Sequence, residues 1–143
     1  MKKTENILGR LVAVTWRSMR KQLGQNIAET NYDITAEQGI ILAMLSHYDN
    51  VNQQMLTEFL LCEKTAITRW IDYLESKKLV KRKPDKIDRR QNILELTKQG
   101  KTFASEFIEI GLLTESQALK NIDKEEALIC KKVLKQIILN LES

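Results

Sequence analysis

Residues 55–101 read MLTEFLLCEKTAITRWIDYLESKKLVKRKPDKIDRRQNILELTKQGK, and the fold turns on how this stretch divides. It opens with two short runs at helical spacing. Met55, Leu56, Phe59 and Leu60 mark one helix, which Asn52 is placed to cap. Ile67, Ile71 and Leu74 form the buried stripe of a second helix, expected from about Glu63 to Lys77, whose opposite face shows Lys64, Thr65, Thr68, Arg69 and Asp72. Only Leu61-Cys62-Glu63 separates them, a connection short enough to force a sharp turn, and two short helices so joined make a helix-turn-helix. The period then changes. Leu79–Lys83 and Gln91–Leu96 are short enough for strands, and Ile93-Leu94-Glu95-Leu96 has the apolar character of a packed face. The residues between them are expected to form the charged tip of a hairpin. Pro84 is placed in that tip, where its missing N–H breaks no ladder.

The charge of the chain is concentrated in this hairpin. The 143 residues hold 23 Lys and Arg against 19 Asp and Glu, a net of +4. The window Lys81–Arg90 alone carries six basic residues (Lys81, Arg82, Lys83, Lys86, Arg89, Arg90) and two acidic ones, Asp85 and Asp88. Without it, 17 basic residues face 17 acidic ones. Such a concentration suits a polyanion, because each neutralised phosphate releases counterions. On charge alone, a solvated loop explains the window equally well.

Outward from the hairpin the pattern is helical. Upstream, Ile7, Leu8, Leu11, Val12, Thr15, Trp16, Met19, Leu23 and Ile27 recur at three- and four-residue spacing, one helix over 5–27 weakened near Gly24. Thr35-Ala36-Glu37-Gln38 fits a capping box opening a helix that buries Ile41, Leu42 and Leu45 and ends at His47–Asn50. Downstream, a long helix from Thr97 carries Phe103, Phe107, Ile110 and Leu113 or Thr114. Asp123 with Glu126 reads as a second capping box, before a last helix with Leu128, Ile129, Val133, Leu134, Ile137, Ile138 and Leu141. That stripe is wide for a terminal helix and calls for a partner on both flanks.

Composition excludes several classes. One proline and five glycines leave little room for the turns of a sandwich or barrel. Met1-Lys2-Lys3 looks like the charged start of a leader, but Glu5, Asn6, Arg10 and Arg17 interrupt the apolar run that a leader needs, and no stretch of about 18 apolar residues is present. A cytoplasmic protein is expected. Two cysteines, Cys62 and Cys130, suggest neither a disulfide framework nor a zinc site, and the single His47 rules out a His-rich metal centre. There is no Gly-rich phosphate loop and no Ser-His-Asp set, so an enzyme is not expected, and no cofactor.

In order and spacing, residues 55–101 resemble the MarR family of bacterial transcription regulators. The family's pattern is an apolar helix, a Thr-rich recognition helix ending in Leu-Glu, a Leu-Val-x-Arg strand, an Asp-x-x-Asp-x-Arg wing, then Leu-Thr-x-x-Gly. Leu74-Glu75, Leu79-Val80-Lys81-Arg82, Asp85-Lys86-Ile87-Asp88-Arg89-Arg90 and Leu96-Thr97-Lys98-Gln99-Gly100 match it, as Thr35–Gln38 matches the start of the family's second helix. The core match covers about a third of the chain, and the helix layout extends it over nearly all. Two positions depart. Lys78 stands where many relatives have Gly, at the left-handed position after the recognition helix, and Glu63 stands where they tend to have Ser or Thr as N-cap.

The resemblance implies a mainly α fold with a small β-hairpin wing: a winged helix-turn-helix lobe over 30–100, flanked by dimerisation helices over 1–29 and 101–143. It implies a homodimer on a palindromic operator in double-stranded DNA. The recognition helix would enter the major groove, with Lys64, Thr65, Ala66, Thr68 and Arg69 as contacts. Arg69 suits a guanine edge or a phosphate, and Tyr73, one turn on, a phosphate. The wing would lie along the minor groove through Lys81, Lys83, Lys86, Arg89 and Arg90, with Asp88 pairing with Arg90 to hold its shape. In the family small effectors, often phenolic, bind between the dimer helices and the lobe; Trp16, Met19, Tyr32, His47, Tyr48 and Phe103 are the candidates to line such a pocket, though each also suits ordinary core or surface. One branch of the family senses peroxide through a cysteine in the first helix, where this chain has none. Cys62 is read as a quiet thiol beside the recognition helix. The competing readings are an effector-independent nucleic-acid-binding accessory factor and a protein-interaction winged helix with an acidic partner.

Overall fold

The computed structural model describes residues 4–143; the Met1-Lys2-Lys3 start lies outside the described residues. Among the described residues, six helices and one hairpin occur in the order α1 (Leu8–Ala28), α2 (Ala36–His47), α3 (Gln53–Leu60), α4 (Lys64–Ser76), β1 (Val80–Pro84), β2 (Asn92–Leu96), α5 (Lys98–Ala118) and α6 (Lys124–Glu142). The mainly α architecture with a small hairpin is the one expected. α1 begins at Leu8, three residues later than its periodicity suggested, behind an Ile7 that offers no side-chain cap.

Local chemistry sets most boundaries. The Thr35 hydroxyl accepts the Gln38 N–H at 3.3 Å while the Gln38 amide oxygen accepts the Thr35 N–H at 2.9 Å, so the capping box is complete. Asn52 caps α3 by accepting the Met55 N–H at 2.9 Å. The second box does not form: Asp123 is the N-cap of α6, but its side chain makes no capping hydrogen bond. Its charge still complements the helix dipole. Between α3 and α4, Leu61 takes the left-handed conformation (φ 50°, ψ 42°) that reverses the chain.

The exit from α4 is a Schellman turn. The Leu79 N–H donates to the Leu74 carbonyl at 3.0 Å, and the Lys78 N–H to Glu75 at 2.9 Å. Lys78 carries φ 60°, as the departure from glycine at that position implied. A side chain there costs on the order of 1 kcal/mol relative to glycine. The buried contact of Leu74 with Leu79 closes the motif. Thr97 then fastens this turn to α5. Its N–H donates to the Leu79 carbonyl at 3.0 Å, its hydroxyl donates to the Lys78 carbonyl at 2.7 Å, and the same oxygen accepts the Gly100 N–H at 2.9 Å. A Cβ on Gly100 would collide with the Leu79 carbonyl. The Leu-Thr-x-x-Gly run is thus the imprint of a close backbone crossing.

The hairpin pairs Val80 with Leu96, Lys81 with Glu95, Arg82 with Leu94, Lys83 with Ile93 and Pro84 with Asn92. Pro84 therefore ends β1 instead of lying in the tip, which comprises residues 85–91. The chain before α3 runs along the other side of β2, where the Leu94 N–H donates to the Val51 carbonyl at 2.8 Å. No sequence pattern announces that third partner.

The main core gathers Ile41, Leu42, Val51, Leu56, Ile67, Ile71 and Leu74, all fully buried, and reaches Leu94, Leu96 and Ala104. A second cluster holds Leu23, Ile27, Ala36 and Phe107 between α1, α2 and α5. Beside it Asn26 is buried, and its amide donates to the Thr114 hydroxyl at 2.9 Å and to Gln117 at 2.7 Å. An Arg20–Glu37 ion pair also joins α1 to α2. By contrast, α6 has no buried residue; a Lys131–Glu115 ion pair links it to α5.

Tyr73, expected to face DNA, turns the other way. Its hydroxyl donates to the Asp33 carbonyl at 2.5 Å and its ring packs on the main core, tying α4 to the α1–α2 connection. Partial burial, and then the hydrogen bond to and negative charge of Asp33, hold its phenol above the usual range near 10.

This packing sets two expected outcomes. The Phe107 ring occupies the place where a Cβ on Gly39 would project, so Gly39→Ala is expected to destabilise the fold by about 1–3 kcal/mol in urea melts. Tyr73→Phe should cost about 1 kcal/mol near neutral pH. Because the folded pKa of Tyr73 lies above the unfolded one, the stability it adds is present below pH 10 and is lost as pH rises through the folded value. Wild type and Tyr73→Phe melts should therefore converge in alkali; parallel loss in both would show that the hydroxyl is not the tether.

Candidate nucleic-acid interface

The helix-turn-helix and the hairpin put their polar residues on the surface through opposite devices. α4 spends Ile67, Ile71 and Leu74 on the core, which leaves Lys64, Thr65 and Arg69 exposed, with Ala66 and Thr68 half-buried at the edge. The Thr68 hydroxyl is engaged internally: it donates to the Lys64 carbonyl at 2.9 Å and accepts from the Gln53 amide at 3.0 Å. Glu63, the N-cap, makes no side-chain cap, in keeping with its poor fit to that role.

The basic window separates into two halves. In the strand half, Lys81 reaches the Glu95 carboxylate directly across the register at 3.6 Å and Lys83 reaches it along the diagonal at 2.8 Å. The Lys83 hydrogen bond foremost, helped by the charge of both lysines, holds the Glu95 carboxyl below its usual range. Arg82, between them, points to the other face and forks onto α4: its two Nη atoms donate to Glu75 at 2.8 Å and Asp72 at 2.7 Å. Lys81 and Lys83, expected as DNA contacts of the wing, thus share an acidic neighbour. In the tip half, Lys86, Arg89 and Arg90 are exposed and have no acidic partner among the described residues. The unshared positive charge lies at the tip.

Asp85 and Asp88 give the tip its shape. Asp88 accepts the backbone N–H of Arg90 at 3.1 Å, and Asp85 that of Ile87 at 3.0 Å. The brace expected between Asp88 and Arg90 therefore acts on the main chain, and the Arg90 guanidinium is left free of it. The Asp85 N–H to the Gln91 carbonyl, at 2.9 Å, closes the loop at its base.

Lys64 and Arg90, twenty-six positions apart, line one open polar cleft of about 250 Å³ together with Gln53, Gln54, Thr57 and Gln91. Gln91 also accepts a hydrogen bond from Asn52 at 3.2 Å. Gln53 and Gln54 belong to no motif of the sequence; their place just after the Asn52 cap, at the positive end of α3, is the signal that points to them. Arg82 stands in the sequence only as part of a motif, and Asp72 and Glu75, three apart on one helix face, are the feature that anticipates its fork.

The six residues considered for an effector pocket do not converge. Tyr32 and Phe103 meet with their rings tilted at 52° and centroids 3.8 Å apart, beside a cavity of about 130 Å³. Met19 lines a separate cleft of about 370 Å³ between α1 and α5. Trp16 is exposed on α1, and His47 and Tyr48 form an exposed edge-to-face pair, centroids 5.0 Å apart, where α2 ends. Aromatic residues scattered over three elements shared only their chemistry. Cys62 is half-buried with its thiol on the Leu60 carbonyl at 3.2 Å, and Cys130 is exposed. Among the described residues no group of three or more His, Cys, Asp or Glu gathers in a way that could hold a metal, and no helix is long and apolar enough to cross a membrane.

Comparison with known proteins agrees with this geometry. The MarR family model matches residues 34–91, from the start of α2 through the wing. The HTH-type transcriptional regulator MhqR of Bacillus subtilis is 23% identical over 125 residues, covering 87% of this chain and 85% of that protein. The apo structure of MarR from E. coli superposes with a TM-score of 0.81 at 25% identity, over 92% of this chain and 96% of that one. A cysteine mutant of the same MarR, complexed with operator DNA, gives 0.77 at 26% identity, over 91% and 92% of the two chains. With the family's motifs in place on its helix-turn-helix and wing, the segment 34–91 matches the MarR family of transcription regulators, and the whole chain shares the fold of MarR.

Proposed function

We propose that the protein binds double-stranded DNA sequence-specifically as a homodimer on a palindromic operator, in the bacterial cytoplasm, and represses transcription until a small effector releases it. The observation that carries the reading is the cleft shared by Lys64 and Arg90, which makes the recognition helix and the wing parts of one cationic surface. Support comes from the operator complex of a similar MarR chain. In this reading residues 30–100 are the DNA-binding lobe. Lys64, Thr65, Ala66 and Arg69 face the major groove, and Lys86, Arg89 and Arg90 meet phosphates on either side of the adjacent minor groove. Thr68, Lys81 and Lys83 take supporting places, Asp88 shapes the tip, and Tyr73 leaves the interface.

The terminal helices, 1–29 and 101–143, supply the dimer interface in this proposal. Leu8, Leu11 and Trp16 on α1, Leu112 and Leu113 on α5, and Leu128, Ile129 and Leu139 on α6 are all exposed in the single chain. Exposed apolar residues in that number on three helices point to an association site, and a second lobe doubles the phosphate contacts that selective binding needs. A small aromatic or phenolic effector is assigned to the cleft between α1 and α5, of about 370 Å³, a volume in the range of small-molecule sites.

Affinity for duplex DNA is expected to fall with a steep log–log dependence on salt, and a flat slope would remove the DNA reading in favour of an acidic protein partner. Arg90→Ala should weaken binding to most sequences alike, whereas Arg69→Ala should also relax base preference by about 1–3 kcal/mol at one position. An unchanged selected motif at equal affinity in Arg69→Ala would mean that the recognition helix is placed in the wrong register. Val133→Glu with Ile138→Glu should turn a sedimenting dimer into a monomer and lower operator affinity by more than about tenfold; a wild type that sediments as a monomer at micromolar concentration removes the dimer.

A further inference from the structure

Ile87 stands in the wing tip with 97% of its surface exposed, more than any other large hydrophobic residue among the described residues. Its main chain is nevertheless fixed, since Asp85 accepts its N–H at 3.0 Å and the Asp85–Gln91 bond closes the loop behind it. Around it on the same short tip stand Lys86, Arg89 and Arg90, the exposed cations that no acidic residue neutralises among the described residues. An apolar side chain held out amid cations is complementary to a surface with anionic walls and a less polar floor. The minor groove of duplex DNA has that character, and apolar side chains are used there by other proteins as wedges.

We propose that Ile87 enters the minor groove between the phosphate contacts of Lys86, Arg89 and Arg90 and discriminates there against G·C pairs. The inference rests on the DNA-binding reading above and adds a base preference to a wing that otherwise only neutralises charge. Both kinds of base pair present acceptors on the minor-groove floor, but only G·C adds the guanine amino group, a donor that also raises the floor. The Ile87 side chain packed over that group removes its water and offers no acceptor in return, which penalises the complex. Over A·T there is no such donor and the side chain packs closer. The cations favour A·T as well, through the narrow and more negative groove of such tracts, so the two contributions have to be separated by the protein variant as well as by the base pair.

The experiment uses the full-length protein and duplex DNA. A best site is selected from a pool of random duplexes, and each A·T pair of its flanks is replaced singly by G·C. Affinities are measured at one fixed salt concentration for wild type, Ile87→Val and Ile87→Ala. In wild type at least one flank replacement should cost on the order of tenfold, as a well-placed mismatch does. Ile87→Val should keep most of that penalty and Ile87→Ala should reduce it to about twofold, the part left to groove width. Thermal melting should not change in either variant, because Ile87 is almost wholly exposed. An equal G·C penalty in wild type and Ile87→Ala, or no flank penalty in wild type, overturns the role of Ile87 while leaving DNA binding intact. Failure of wild type to bind any duplex overturns both readings together.

Discussion

The carbonyl of Leu79 is the point from which the helix-turn-helix and the hairpin are hung. It accepts the Thr97 N–H at the place where the exit of α4, the start of β1 and the start of α5 meet. The Schellman turn at Lys78 aims the chain out of α4, and the close approach at Gly100 allows α5 to begin against it. Loosening this crossing would let the hairpin swing relative to the helix. Arg82 acts on the same joint from outside, because its fork onto Asp72 and Glu75 holds β1 against the flank of α4. An exposed ion pair adds little to stability, so the contribution of Arg82 is one of orientation.

Charge in the wing is divided by role. Lysines in the strands are matched to Glu95 and the arginine between them to α4, while the loop keeps its cations bare. Like charges crowded on neighbouring strand positions would repel one another, so the acidic partners make a rigid basic hairpin feasible. The aspartates of the loop go a step further, since they use their oxygens on backbone N–H groups and turn negative charge into shape. Six positive residues in sequence thus become three that organise the hairpin and three that face outward.

Features that depend on near neighbours were legible in the sequence. Thr35 with Gln38, Asn52 as a cap, the Ile67–Ile71–Leu74 stripe and the left-handed position at Lys78 all depend on residues within a turn or two of each other. Asp123 shows the limit of the same logic, because residue types that permit a cap do not oblige the side chain to turn back. The misses needed distance. Tyr73 lies 40 residues from Asp33, and a tyrosine on a helix flank carries no sign of which way it will lean. The partner of Lys81 and Lys83 emerged only from the register, which places Glu95 opposite Lys81 and diagonal to Lys83. Pro84 belongs to the strand because β1 runs one residue further than expected, and alternation alone does not define where a strand stops. The set considered for an effector had no spacing argument behind it, and the fold distributes it over four places.

Buried Asn26 gives the junction between the lobe and the terminal helices a particular mechanical quality. Apolar helix faces tolerate small slides, because one methyl group replaces another at little cost. An amide that donates to Thr114 and Gln117 and accepts from Gln22 does not, since any shift along α5 strands it unpaired. The α1–α5 contact therefore behaves as a detent. It holds one position firmly, because one turn along α5 from Thr114 stand Ile110 and Ala118, whose side chains offer the amide no acceptor.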